Sequence, residues 1–142
     1  MATKANSELV AELADLFAQV SAEMLDYRIE NKSKLTKDQR IQIEDAETTV
    51  DGFVAILRGT ATRMIVEEAK TPLSELKAQI HKANNSIAKI KRIKAVLNLI
   101  SAILTAAAAV VVGDVKGLIT ATESLKKANE AVEKLAAAGG EA

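Results

Sequence analysis

Residues 95–112 read AVLNLISAILTAAAAVVV, a run of eighteen residues without a charged side chain, and Gly113 and Asp114 end the run. A helix of this sequence has apolar side chains on every side. Such a helix is hidden from water by protein or by lipid. The sequence therefore predicts a helix here that either the rest of the chain or a membrane must cover.

A lipid bilayer is one environment that could shield this run from water. Eighteen residues span about 27 Å as a helix, close to the roughly 30 Å hydrocarbon core of a bilayer. A basic flank precedes the run: Lys89, Lys91, Arg92 and Lys94. Against a permanent span, three polar residues interrupt the run, and neither boundary carries Trp or Tyr. A segment covered by protein in solution and released at a membrane fits both sets of observations.

Helix is the predicted structure for the rest of the chain as well. Of 142 residues 49% are apolar, only 2% are aromatic and one is proline, a composition that favours helix over sheet. Apolar residues recur at intervals of three and four. We expect a single domain over residues 1–142, with helices at about 7–30, 37–70, 72–112 and 115–137.

Local signals place the boundaries of these helices. Asn6 or Ser7 is the predicted N-cap of the first helix. Residues 36–39 read TKDQ, a capping box that begins the second. Thr71-Pro72 begins the third, since proline is favoured in a first helical turn. Gly113 ends the third helix and Asp114 begins the fourth.

Two glycines, Gly52 and Gly59, fall inside the second predicted helix. They are seven residues apart and so lie on nearly the same face, and each costs about 1 kcal/mol relative to alanine. A close helix crossing would offset that cost. The alternative is a break at Asp51-Gly52, but the apolar stripe continues through it in register, which favours an unbroken helix.

Short connections make sequential helices antiparallel. The predicted fold is therefore an all-α antiparallel four-helix bundle with a long third helix of about 60 Å. Counting back from the turns places all four helices at the level of the charge-free run. We therefore expect the third helix to be centrally buried there.

Catalytic and metal-binding signals are weak. The chain has no Cys and one histidine, His81, and the residue three before it is Ala78, so the Glu-x-x-His pattern of di-iron bundles is absent. An acidic cluster lacks the spacing of a calcium loop: Glu44, Asp45, Glu47 and Asp51. No phosphate-binding glycine loop is present. We predict no enzyme, no catalytic residue, no metal, no cofactor and no small-molecule substrate.

Charge and the N-terminus limit partners and location. Nineteen basic and nineteen acidic residues give a net charge of zero, and a nucleic-acid partner is not expected. The first residues, MATKANSELV, have no apolar stretch after Lys4, so a Sec signal peptide is not expected. A soluble form is expected, either cytoplasmic or exported by a non-Sec route.

Two functions remain open. The first is a membrane-active, oligomeric protein whose hairpin 95–119 is covered in solution and inserts on assembly. Its basic flank, Lys89, Lys91, Arg92 and Lys94, would contact headgroups. The insertion candidates are Leu97, Ile100, Ile103, Leu104, Ala108, Val110, Val111 and Val112. This layout, an apolar hairpin enclosed by amphipathic helices, resembles the α-helical pore-forming toxins in architecture. The alternative is a soluble homo- or hetero-oligomeric adaptor that binds protein helices through coiled-coil-like faces.

Overall fold

Five helices form the all-α structure of the computed structural model, which describes residues 2–60, 65–66 and 70–137. They are α1 (Lys4–Glu30), α2 (Lys37–Thr60), α3 (Lys70–Ile87), α4 (Ile93–Val112) and α5 (Val115–Ala137). In the described residues, β structure is limited to a two-residue antiparallel pair of β1 (Ala2–Thr3) with β2 (Ile65–Val66).

The third predicted helix is two helices, so the four-helix prediction is wrong by one. Ile87 ends α3 and Ile93 begins α4. Between them the Lys89 N–H donates to the Ser86 carbonyl at 2.9 Å, as in a tight turn. Four basic side chains within residues 89–94 would repel one another along a continuous helix. Ile90, 3% exposed, anchors the connection in the core.

Cross-helix contacts show that α1 and α2 are antiparallel. Arg28 of α1 pairs with Glu47 of α2, and Asp15 pairs with Arg58. The residue numbers increase along one helix as they decrease along the other. This agrees with the predicted reversal between the first two helices.

Helices α1, α3 and α5 are parallel to one another. In each of two interfaces the paired residue numbers increase together: Glu12 with Lys77 and Gln19 with Asn84, then Gln79 with Asn129 and Lys82 with Glu133. Because α4 joins α5 through a two-residue turn and packs along it, α4 runs against α3. The chain therefore reverses at residues 88–92, and the five helices alternate in direction.

Most of the predicted helix boundaries lie within a few residues of the observed ones. The capping box is confirmed: Gln39 N–H donates to Thr36 Oγ1 at 3.1 Å and Thr36 N–H donates to Gln39 Oε1 at 2.9 Å. The first helix starts earlier than expected, at Lys4, so Asn6 and Ser7 lie within it. Likewise α3 begins at Lys70, with Thr71-Pro72 in its first turn.

The second helix is shorter than predicted. It is described as far as Thr60, and Ile65–Val66 is a strand, so a helix through residue 70 is wrong. Residues 61–64 and 67–69 of that prediction lie outside the described residues. The helix does continue through Gly52, as expected, but an added Cβ at Gly52 or Gly59 would meet no atom within 4 Å. Among the described residues, no other element therefore crosses closely at either glycine.

The core is a single apolar cluster to which all five helices contribute. One face of α4 lies in it: Val96, Leu99, Ile100, Ile103, Ala106, Ala107 and Val110. The opposite face is exposed at Asn98, Ser101 and Thr105. In the most apolar window of α4 only 39% of the residues are buried. Central burial of this helix is thus wrong, because α2 and α5 cover it on one side only.

The candidate membrane-active hairpin and the basic connections

The hairpin of α4 and α5 reverses at two residues. Gly113 has a φ of 76°, in the left-handed region that favours glycine, and its N–H donates to the Ala109 carbonyl at 2.9 Å. Asp114 Oδ2 accepts from the Gly117 N–H at 3.0 Å, which caps α5. Both residues act as predicted. Helix α5 begins at Val115, as predicted.

The insertion candidates divide between the core and the surface. Ile100, Ile103 and Val110 are buried, while Val112 is 73% exposed. The other four are half-buried: Leu97, Leu104, Ala108 and Val111. They therefore do not form one apolar surface in this structure. Insertion of all eight requires α4 to leave α2 and α5.

The tip of the hairpin is exposed and apolar. Val112 and Ile119, on either side of the turn, are 73% and 53% exposed. Beside them a shallow groove of about 430 Å³ runs between α4 and α5. Thr105 and Thr120 line this groove with the small side chains of Ala108 and Ala109. Charged groups at the tip are Asp114 and Lys116.

The four headgroup candidates occupy the connection between α3 and α4. Lys89, Lys91, Arg92 and Lys94 are all exposed. Lys94 lies in the first turn of α4, and the other three precede that helix. They are therefore gathered at a reversal of the chain rather than spread around one continuous helix.

A second basic connection, between α1 and α2, was missed by the sequence interpretation. It carries Lys32, Lys34, Lys37 and Arg40. A surface pocket of about 340 Å³ at this connection is also lined by Ile29 and Ile41, which are 60% and 45% exposed. The density of lysine in residues 32–37 is a signal that was present in the sequence. The position of this connection relative to residues 89–94 follows only from the fold.

Arg28 and Glu47 form a bidentate ion pair at the α1–α2 interface. Arg28 Nε donates to Glu47 Oε2 at 2.7 Å and Arg28 Nη2 donates to Glu47 Oε1 at 3.1 Å. This hydrogen bonding raises the pKa of Arg28. Burial raises the pKa of the neighbouring Tyr27. Both shifts are explained by helix packing.

The remaining polar candidates are dispersed. His81 is exposed on α3, and Glu44, Asp45 and Asp51 are exposed on α2 while Glu47 pairs with Arg28. Among the described residues, no three His, Asp or Glu side chains are grouped as metal ligands would be.

Comparison with known proteins gives no relative: no family model, no curated protein and no solved structure matches the chain. Within the described residues, one helix, α4, is long and apolar enough to cross a membrane. The core helix of a soluble protein passes the same test.

Proposed function

We propose that the protein is a non-enzymatic membrane-active protein whose hairpin 95–119 inserts into lipid on assembly. One observation carries the proposal: the exposed face of α4 has no charged residue after Lys94. That face presents Asn98, Ser101, Thr105 and Val112, with the half-buried Ala108 between the last two. Helices at the surface of soluble proteins normally place charged residues there. A face of small neutral residues is compatible with water and with lipid.

The dimensions of α4 support the same proposal. Its 20 residues span about 30 Å, the thickness of a hydrocarbon core. Charged residues mark both ends of this span, with Lys94 in the first turn and Asp114 just past the last. The neutral polar side chains between them cost far less in a bilayer than charged ones.

Helix α5 explains why insertion would accompany assembly. From Glu123 onward it carries charged residues on its exposed face, with Lys126, Lys127 and Glu130 following. These side chains cannot face lipid at low cost. In an oligomer, α4 of each copy can face lipid while α5 faces water or a neighbouring copy.

Leakage of a trapped dye from anionic vesicles tests this proposal. Thr105 lies near the middle of α4 and is exposed, so Thr105→Glu should leave the bundle folded. In a bilayer the new charge costs about 3 kcal/mol, roughly a hundred-fold in inserted protein. Thr49→Glu is the matched control, because Thr49 is exposed in α2, outside residues 95–119, and like Thr105 it donates its hydroxyl to the carbonyl four residues before it.

We expect leakage with wild type and with T49E, and strongly reduced leakage with T105E, while all three give the same helical circular dichroism. Absence of leakage with wild type would overturn the proposal. Equal leakage from T105E and wild type would also overturn it, since insertion of α4 would then not be the cause.

A soluble adaptor is the second candidate function, favoured by exposed apolar residues on the first two helices. Leu25, Ile29, Ile41 and Ile56 are 39–60% exposed, and such residues can pair helices between subunits. Sedimentation without lipid separates the two. A stable oligomer without vesicle binding would favour the adaptor.

A further inference from the structure

The two basic connections lie at the same end of the bundle. Because α1 and α3 are parallel, their carboxyl ends lie at the same end of the bundle. The α1–α2 connection follows the carboxyl end of α1, and the α3–α4 connection follows that of α3. Residues 31–40 and 88–94 together hold eight basic residues and one acidic residue, while the rest of the chain holds 11 basic and 18 acidic residues. A chain with no net charge therefore has one strongly basic end, which we call the basic end.

We propose that the basic end docks the folded bundle onto an anionic lipid surface before α4 inserts. This inference rests on the proposed function and adds its first step. It assigns the headgroup contact to both connections rather than to residues 89–94 alone.

The residue types favour a lipid surface over other anionic partners. Six of the eight basic residues are lysines: Lys32, Lys34, Lys37, Lys89, Lys91 and Lys94. Lysine is a mobile point charge suited to a diffuse layer of headgroups, whereas specific recognition of carboxylate or phosphate favours arginine. Aromatic side chains on which bases would stack are missing from both connections.

Two exposed isoleucines give the basic end an apolar component. Ile29 and Ile41 are 60% and 45% exposed and lie beside Lys32, Lys37 and Arg40. Apolar side chains among basic ones are typical of surfaces that sit in the headgroup region. The acidic side chains lining the adjoining pockets are Glu30 and Glu44, so the surroundings stay net basic.

The two connections are at different heights. The contact of Gln19 with Asn84 places Ile87 level with about residue 22 of α1. The α3–α4 connection is therefore about 12 Å short of the end of α1. A flat surface meets both connections only if the bundle axis is tilted. In that orientation Lys94, at the start of α4, lies near the headgroups.

Vesicle flotation of the T105E variant tests docking separately from insertion. Vesicles of phosphatidylcholine with phosphatidylserine are compared with phosphatidylcholine alone. We expect T105E to bind the anionic vesicles and to release them in about 1 M salt, where screening shortens the range of the charges to about 3 Å.

Substitutions at the two connections then test the assignment. K32Q/K34Q/K37Q and K89Q/R92Q/K94Q should each weaken binding by roughly a hundred-fold, at about five-fold per residue. K70Q/K126Q/K127Q removes three exposed charges outside both connections and outside the hairpin, and is the matched control, with little effect expected. The circular dichroism of all variants should match that of the parent.

The outcomes separate this inference from the proposed function. Binding lost in both connection variants and kept in the control supports docking by the basic end, even if wild type causes no leakage. Equal loss in all three variants, or loss in only one connection variant, overturns it. Binding to soluble polyglutamate but not to vesicles also overturns it, because the partner would then be an acidic protein segment.

Discussion

Arg28 and Glu47 form a fork across the interface of α1 and α2, with the Arg28 Nε and Glu47 Oε2 atoms 2.7 Å apart and the Nη2 and Oε1 atoms 3.1 Å apart. The two residues are 19 positions apart in sequence. Their side chains are 24% and 11% exposed. The pair fixes the register of the two antiparallel helices next to the basic end.

A double-mutant cycle of R28A and E47A should show this pair coupled by about 1–2 kcal/mol, as expected for a charged hydrogen bond partly shielded from solvent. The matched control is Asp15 with Arg58, whose atoms are 3.4 Å apart and whose side chains are more than half exposed. Its coupling should stay below about 0.5 kcal/mol. Urea unfolding provides both values. Equal coupling energies in the two cycles would contradict the importance of burial here.

Tyr27→Phe should be neutral or stabilising by up to about 1 kcal/mol at neutral pH, because the Tyr27 hydroxyl is buried with no hydrogen-bond partner among the residues that the structure describes. Burial raises the pKa of Tyr27 above its ordinary 10.0. The folded state therefore favours the protonated hydroxyl. The stability that this preference provides is fully present below about pH 10 and is lost as the pH rises through the folded-state pKa of Tyr27.

Urea unfolding of wild type and Y27F at about pH 8 and at about pH 11 measures this effect, because the ordinary pKa of tyrosine lies between these two values. We expect wild type to lose more stability than Y27F, since lysine ionisation is common to both. A clear loss of stability in Y27F at pH 8 would show that the hydroxyl makes a hydrogen bond.

Glycine-to-alanine substitutions should differ in sign between the helices and the turn. Gly52 and Gly59 lie in α2 with no atom within 4 Å of an added Cβ, so alanine should stabilise by about 0.5–1 kcal/mol at each. At Gly113, with its φ of 76°, alanine should destabilise by about 1 kcal/mol. Thermal melting of the three variants measures the differences. Destabilisation by G52A would indicate a packing contact at that face.

Cross-linking can verify the reversal at residues 88–92. The chain has no Cys, so cysteines can be placed freely. Lys82 and Glu133 are 2.9 Å apart at their charged atoms, so K82C/E133C should be joined rapidly by a short bis-maleimide. An unbroken helix over 72–112 would separate the two positions by about 18 Å along the bundle. K82C/K116C is the control and should react slowly. Reaction of K82C/E133C as slow as that of the control would restore the single long helix.

Sequence patterns that depend on a few neighbouring residues predicted the structure well. The cap at Thr36 and Gln39, the left-handed Gly113 and the cap at Asp114 each act within four residues, and all three are present. The all-α class also follows from composition and spacing. These features need no information from distant parts of the chain.

The reversal at Ala88–Arg92 was missed because it contains neither glycine nor proline, and Ile87, Ile90 and Ile93 continue the spacing of a helix. This error also made the predicted burial of the candidate site wrong. A single long helix placed the charge-free run in the middle of the bundle, whereas the reversal places α4 beside α2 and α5 with one face open. The location of both basic connections at one end of the bundle could not be predicted without knowing how many times the chain reverses direction.

An odd number of alternating helices also separates the two ends of the described chain. Lys4 begins α1 at the end opposite the basic residues, and Ala137 ends α5 beside them. A fluorescent protein fused after α5 would therefore stand between the bundle and any surface met by the lysines, whereas one fused before α1 would point away from it.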